Sequence, residues 1–290
     1  MRIIMVPVAD RPECALAMDA AFDMAAELQA NIYACHIRPH RYSAINLPDA
    51  AISALPSGEM PELNAAEKKA AAEASHSARA LVQKLAESRK FSMVRRLRGS
   101  SQRCLVWNED VGHVEKLMPI IGPFADLIVV SRPRKKSSRI ARLFMLEALL
   151  NSSRPVLILP PNRKVRMGKR IVIGWDQTHN AMQAVIAALP LLARAEHVSI
   201  ITSGKAKPNG PKARQLVNYL RAWDIAATAR QTRGSHTDAT TDITGHYEES
   251  AADLLVIGSY SQSRFRQRIF GGVTEHFLTK TIIPVFTVHA

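Results

Sequence analysis

Glycines, hydroxyl side chains and arginines cluster in one segment near the end of the 290-residue chain, which reads GSYSQSRFRQRIFGGVTEHFL from Gly258. Glycine lets main-chain amides approach a ligand closely, and free amides at a helix start favour an anion. Gly258, Gly271 and Gly272 are placed to present such amides. Arg264, with its neighbours Arg266 and Arg268, could add charge-assisted hydrogen bonds. The segment predicts a phosphate seat, although glycines that only close turns and arginines that are solvated remain an alternative.

A repeated string precedes this segment and locates it in the fold. ADLLVI at 252–257 is nearly the same as ADLIVV at 125–130. Each string is followed by a basic loop, a helical stretch and an apolar run that begins at a proline, Pro155 or Pro284. The same order of signals in both halves predicts two copies of one domain.

The beginnings of the two halves also correspond. Arg2–Val8 and Lys169–Trp175 are β-branched strands that run into Asp10 and Asp176, and helical periodicity follows each of them. Apolar runs such as LIVVS and LLVIG have no polar alternation, which is typical of strands covered on both faces. Each half is therefore predicted as β-α-β-α-β-α-β-α-β, an α/β fold with a doubly wound parallel sheet between helices.

The predicted boundary lies in the polar, basic segment Pro160–Lys169, where neither periodicity holds. We therefore predict one domain over 1–162 and a second over 168–290. The first domain carries an insertion at about 39–63, rich in proline, which predicts a loop or lid. An alanine-rich helix from about 64 to 87 follows it.

Open parallel sheets bind ligands beyond the carboxyl ends of their strands, where the strand order reverses. In the second half, the first strand ends at Trp175 and Asp176, and the fourth ends at Gly258. These two strand ends are expected to flank a ligand crevice.

The closing segment from Gly258 to Val288 resembles that of universal stress proteins. Their nucleotide motif is Gly, two residues, Gly, nine residues, Gly, then Ser or Thr. Gly258 and Gly271 match the first and third glycines at this spacing, whereas Ser261 replaces the second glycine and Gly272 replaces the hydroxyl residue. The chain thus resembles a tandem, two-domain member of that family.

This resemblance implies five-stranded sheets with strand order 3-2-1-4-5 and an adenine nucleotide (ATP, ADP or AMP) as cofactor in the second half. Carried over by position, Asp176 lies close to the ribose, Thr202 contacts the adenine side, and Val273 supplies a backbone amide to phosphate. An alternative for Asp176 is that it caps the helix that begins nearby.

The departures from the motif predict a weakened site. If position 261 needs a left-handed backbone, serine there costs about 1–2 kcal/mol, roughly tenfold in affinity. A second hypothesis is therefore a nucleotide-free dimeric scaffold with a decayed site and an unknown protein partner. In the first half, Ser131–Leu150 contains no glycine, so that half is predicted to be mainly structural.

The sequence contains no motif for catalysis. There is no Gly-x4-Gly-Lys phosphate loop with Ser or Thr, no GxGxxG, no HExxH and no GxSxG. We expect no enzyme, or at most weak ATP hydrolysis.

The net charge of +14 is spread over both halves, with 24 Lys+Arg against 16 Asp+Glu in 1–165 and 15 against 9 in 166–290. With no recognition motif, nucleic acid is not expected as a partner.

The remaining features concern location and assembly. Cys14, Cys35 and Cys104 match no zinc or CxxC spacing, so we expect a reduced, cytoplasmic protein without a structural metal. No apolar stretch approaches the length of a membrane span. The resemblance implies that the strands after Pro155 and Pro284 pair across a two-fold axis. Such pairing would form an internal pseudo-dimer and offers a route to a homodimer.

Overall fold

The structure, a computed structural model, describes residues 1–9, 11–39, 65–134, 139–162, 167–204, 207–232, 238–259 and 276–289. Asp10 and, apart from Pro39, the predicted insertion at 39–63 lie outside the described residues.

Six strands and four helices are described before residue 163. The strands are β1 (Ile3–Pro7), β2 (Asn31–Pro39), β3 (Ser92–Met93), β4 (Cys104–Gly112), β5 (Leu127–Ser131) and β6 (Val156–Leu159). The helices are α1 (Pro12–Leu28), α2 (Ala65–Ser88), α3 (Val114–Ile121) and α4 (Arg139–Asn151). The helix predicted at about 64–87 is thus α2.

Five strands and three helices are described after residue 166. The strands are β7 (Arg170–Gly174), β8 (His197–Thr202), β9 (Ala227–Gln231), β10 (Leu254–Gly258) and β11 (Val285–Val288). The helices are α5 (His179–Leu192), α6 (Ala213–Arg221) and α7 (Ala239–Glu249), and a short helical turn, His276–Lys280, precedes β11.

All these strands form one 11-stranded sheet, in the order β3-β4-β2-β1-β5-β6-β11-β10-β7-β8-β9. Neighbouring strands are parallel except β6 and β11, which pair antiparallel and join the two halves. The predicted α/β class is confirmed. One difference is β3, a two-residue edge strand in which Ser92 N donates to Arg103 O at 2.9 Å. This strand forms because the chain leaving α2 runs briefly beside β4 before it turns back.

Helices cover both faces of the sheet, as the unalternating apolar strands predict. Buried side chains of α1, α2, α5 and α6 pack on one face, and those of α3, α4, α7 and the His276–Lys280 turn pack on the other. In β10, for example, Leu254 and Val256 face the first layer, and Leu255 and Ile257 face the second. Each of the two cores runs through both halves of the chain.

The repeated Ala-Asp-Leu string positions the first strand of each half through its aspartate. The Asp126 carboxylate accepts hydrogen bonds from the amides of Arg2 (2.5 Å) and Ile3 (3.0 Å). The Asp253 carboxylate accepts from the amides of Gly168 (2.8 Å), Lys169 (3.0 Å) and Arg170 (3.2 Å). Hydrogen bonds to a charged acceptor are stronger than neutral ones. Each aspartate therefore fixes the start of the strand beside it.

We predict that Asp253→Ala lowers the free energy of unfolding by about 2 kcal/mol, because three main-chain amides lose a charged acceptor. Glu248→Ala, which removes an exposed carboxylate from α7, is the matched control and should change stability by less than about 0.5 kcal/mol. Urea denaturation of both variants measures the difference. Equal stability of the two variants would contradict the role given to Asp253.

Candidate functional site

Three of the predicted site residues lie at the same edge of the sheet. Asp176, Thr202 and Gly258 follow or end the adjacent parallel strands β7, β8 and β10, since Gly174 pairs with both Ile201 and Ile257. The carboxyl ends of the three strands therefore meet where a ligand crevice was predicted. The other predicted site residues lie outside the described residues: Ser261, Arg264, Gly271, Gly272 and Val273.

Asp176 is exposed and acts on the start of α5 through Thr178. Its Oδ1 accepts hydrogen bonds from Thr178 N at 3.0 Å and from Thr178 Oγ1 at 2.6 Å. Thr178 is the N-cap residue, and its side chain accepts from Ala181 N at 3.2 Å. The alternative that Asp176 caps the helix is therefore wrong in its residue, because the N-cap is Thr178. Asp176 contributes indirectly, by holding the Thr178 side chain in place.

Thr202 carries a buried hydroxyl group without a partner. The residue is 5% exposed, and within the described chain its Oγ1 has no hydrogen-bond partner. A buried polar group that makes no hydrogen bond costs about 1–3 kcal/mol. A further hydrogen-bond partner for this hydroxyl, at the carboxyl end of a central strand, would therefore be stabilising.

The chain beside Thr202 is held by a hydrogen-bonded carboxylate. Oδ2 of Asp242, in the first turn of α7, accepts from Ser203 Oγ at 2.5 Å and from Thr232 Oγ1 at 2.6 Å. Thr232 Oγ1 in turn accepts from Gly204 N at 3.1 Å, and Gly204 has a left-handed φ of 69° that suits glycine. Asp242 thus ties the ends of β8 and β9 together next to Thr202.

Gly258 allows β10 to approach the start of α5. A Cβ atom at this position would lie 2.5 Å from Ala181 N and 2.6 Å from Asn180 C, which are backbone atoms that cannot move aside cheaply. The Asn180 side chain also donates to Ser259 O, which closes the same contact. The observed requirement for glycine here is close packing, which brings the end of β10 directly against the helix start.

A second set of contacts holds the chain between β8 and α6. Nε1 of Trp175 donates to Pro211 O at 2.9 Å, and Gln177 Nε2 donates to the same carbonyl at 3.1 Å. Gln177 Oε1 accepts from Lys207 N at 2.5 Å, and Gln177 itself has a left-handed φ of 63°. These bonds fix the described part of 207–211 over the end of β7.

In the first half, the corresponding positions are filled by the protein's own side chains. The bond from Val8 N to Cys35 O (2.8 Å) matches that from Trp175 N to Ile201 O (2.8 Å), so His36 stands where Thr202 stands in the second half. His36 Nδ1 donates to Val8 O at 2.8 Å, and its ring stacks on Trp107 with centroids 5.6 Å apart. Here the position carries a satisfied imidazole instead of an unpaired hydroxyl.

A carboxylate lies near the first-half counterpart of the predicted phosphate seat. Glu13, in the first turn of α1, is 5% exposed and lies 3.8 Å from both Arg11 and Arg134. Ser131, which takes the position of Gly258 in the repeat, donates its hydroxyl to Glu13 O at 2.7 Å. The guanidinium groups of Arg11 and Arg134 are therefore already paired with a carboxylate of the chain itself at this helix start. That the first half is mainly structural stays a prediction.

Sequence reasoning missed Thr178, Gln177 and Asp242. The position of Thr178 directly before a helical pattern could have indicated a cap. Gln177 and Asp242 bond to residues distant in sequence, and the pattern gave no sign of them. Among the residues described, no three His, Cys, Asp or Glu side chains are grouped to hold a metal ion. Over the same ranges, no helix has the length and apolar character that a membrane span requires.

The comparisons agree with this fold. Residues 167–289 match the model of the universal stress protein family. A universal stress protein from Synechocystis sp. (strain ATCC 27184 / PCC 6803 / Kazusa) is 25% identical over 145 residues, which are 49% of this chain and 50% of the relative. The match thus spans about half the length of that curated relative. The second half of the chain, from residue 167 to residue 289, is a universal stress protein domain.

Two solved structures resemble the chain over nearly its whole length. A universal stress protein from Archaeoglobus fulgidus DSM 4304 has a TM-score of 0.68 at 14% identity and covers 99% of this chain and 98% of its own. A putative universal stress protein from Pseudomonas aeruginosa UCBPP-PA14 has a TM-score of 0.56 at 13% identity, with 100% and 93% covered. At these identities the likeness concerns the fold, which both halves share with universal stress proteins.

We predict that Gly258→Ala lowers the free energy of unfolding by about 2 kcal/mol, because the new methyl group overlaps the backbone of α5. The matched control is Gly245→Ala inside α7, where a Cβ meets nothing within 4 Å. This control should be neutral or stabilising by up to about 1 kcal/mol, because alanine favours a helix. Thermal or urea denaturation separates the two. A neutral Gly258→Ala would contradict the close contact.

Proposed function

We propose that the second half binds an adenine nucleotide, ATP, ADP or AMP, at the carboxyl edge of β8, β7 and β10, with little or no turnover. The observation that carries this proposal is the unpaired, buried hydroxyl group of Thr202 at that edge. The family domain at 167–289 and the spacing of Gly258 and Gly271 support it.

The base and ribose would lie on the side of Thr202 and Asp176. The Thr202 hydroxyl can donate to a ring nitrogen or accept from an exocyclic amino group, and either bond would satisfy it. Because Thr202 is buried, a ligand can reach its hydroxyl group only by displacing the chain that covers it. Asp176 is exposed and uses Oδ1 for Thr178, so Oδ2 is left to accept a hydrogen bond from a ribose hydroxyl.

The phosphates would lie towards the start of α5. The first amides of a helix have no intrahelical acceptor, and the helix dipole adds partial positive charge there. Thr178 holds this end in place, and Gly258 brings β10 directly against it. A helix start beside a strand end is a place where main-chain amides favour an anion, which supports this placement of the phosphates.

Binding without efficient hydrolysis is proposed because no group for phosphoryl transfer is recognisable. The sequence has no Gly-x4-Gly-Lys-Ser/Thr loop, and the nearby carboxylate of Asp176 is assigned to Thr178 and the ribose in this proposal. The proposed role is therefore that of a nucleotide-responsive stress protein, not of a nucleotide-consuming enzyme.

We predict that Thr202→Val weakens ATP binding about tenfold, since it removes one buried hydrogen bond to the ligand. The same change should leave the stability of the unliganded protein unaltered or slightly raised, because the lost hydroxyl has no partner among the described residues. Isothermal titration of the full chain with ATP and AMP, together with urea denaturation, measures both quantities.

Thr244→Val is the matched control, because Thr244 Oγ1 on α7 is also buried and unpaired but lies outside the proposed site. It should leave nucleotide affinity unchanged. Equal affinities for Thr202→Val and the native chain would contradict the placement of the base. No heat with the native chain at high micromolar ATP would contradict binding itself and favour the nucleotide-free scaffold.

A further inference from the structure

Arg132 is a buried cation from the first half whose guanidinium donates to main-chain carbonyls of the second half. It follows β5 directly and is 3% exposed. Nε donates to Leu278 O at 2.7 Å, and Nη2 donates to Phe277 O at 2.7 Å and to Ile283 O at 3.3 Å. Nη1 donates to Thr281 O. Throughout the described ranges, no carboxylate pairs with this guanidinium.

Burial of an arginine without a counter-charge is costly, and here it lowers the pKa of Arg132 to about 10. The cost is offset because four main-chain carbonyls, in and just after the His276–Lys280 turn, accept hydrogen bonds from the guanidinium. A planar guanidinium with five donors can serve four carbonyls at once, whereas an ammonium group has three donors on one atom. The contact therefore suits arginine specifically.

The carbonyls that Arg132 holds lie immediately after the segment that carries the glycine pattern. Upstream, that segment begins after Ser259, which is tied to β11 through bonds from Ser259 N (3.2 Å) and Oγ (2.6 Å) to Val288 O. Downstream, the described chain resumes at His276, within the turn bound by Arg132. Contacts within the second half thus hold Ser259, before that segment, and Arg132 of the first half holds the turn that follows the segment.

We infer that Arg132 is a positioning residue for the proposed nucleotide site. It fixes the chain that enters β11, and β11 pairs with β10 up to Gly258 and bonds to Ser259, so nucleotide affinity in the second half depends on a side chain of the first half that touches no ligand. This inference rests on the proposed function. It also gives the first half a role, since its own counterpart site is filled by His36 and Glu13.

The test compares the full-length native chain with Arg132→Lys, Arg132→Met and the control Arg154→Lys. Arg154 is also a first-half arginine with a main-chain acceptor, Pro123 O at 2.7 Å, but that acceptor lies in its own half. Hydrogen–deuterium exchange is followed in residues 276–288 and, as a check of global folding, in β7. Isothermal titration with ATP gives the affinity of each variant.

We expect both Arg132 variants to exchange at least tenfold faster in residues 276–288 with β7 still protected, and to bind ATP at least fivefold more weakly. Arg154→Lys should change neither quantity. Unchanged exchange in 276–288 would overturn the inference, and so would faster exchange with unchanged ATP affinity. If the native chain binds no ATP, the proposed function fails, and so does the inferred effect of Arg132 on affinity. Faster exchange in the Arg132 variants would then still show that Arg132 anchors residues 276–288.

Discussion

The antiparallel pairing of β6 with β11 is the contact on which the rest of the architecture depends. Val156, Leu157 and Ile158 pair with Thr287, Phe286 and Val285, and these six side chains are buried. Apart, each half would end in an apolar edge strand with unpaired amides and carbonyls, which is a site for aggregation. When β6 and β11 pair, the amides and carbonyls of the two edge strands hydrogen-bond to each other. They create one continuous sheet whose two cores extend through both halves.

Much of this arrangement could be predicted from the sequence because it repeats. The two Ala-Asp-Leu strings and the two proline-initiated runs locate the central and last strands of each half, and the unalternating apolar pattern indicates burial on both faces. The role of the repeated aspartates was not apparent, since a strand-initiating carboxylate resembles a turn residue. Their contacts with the start of β1 and β7 cross most of a domain, |i−j| being 124 for Asp126 and 85 for Asp253.

For the candidate site, the sequence could predict which residues lie at the strand ends, but not what each of them contacts. Asp176, Thr202 and Gly258 fall at the expected strand ends because the topology places them there. Their individual roles depend on tertiary contacts that no local pattern encodes. Gly258 is required by its distance to α5, Asp176 acts through Thr178, and the partner of Arg132 lies about half a chain away, with |i−j| of 145.

The two halves differ at the carboxyl ends of their first and second strands. The first half places His36, stacked on Trp107, where the second half has Thr202, whose hydroxyl is unpaired among the described residues. Satisfied side chains add stability, whereas unsatisfied ones cost stability unless a ligand completes them. Under the proposed function, the unpaired hydroxyl of Thr202 lowers the stability of the free protein and is completed by the ligand.

A crystal structure of the full chain grown with a slowly hydrolysed ATP analogue tests the central claim most directly. The account predicts density for the base beside Thr202, with the phosphates facing the start of α5 and Gly258. A nucleotide bound at the edge of β1, β2 and β5 instead, or crystals in which the Thr202 hydroxyl stays unpaired at saturating analogue, would contradict it.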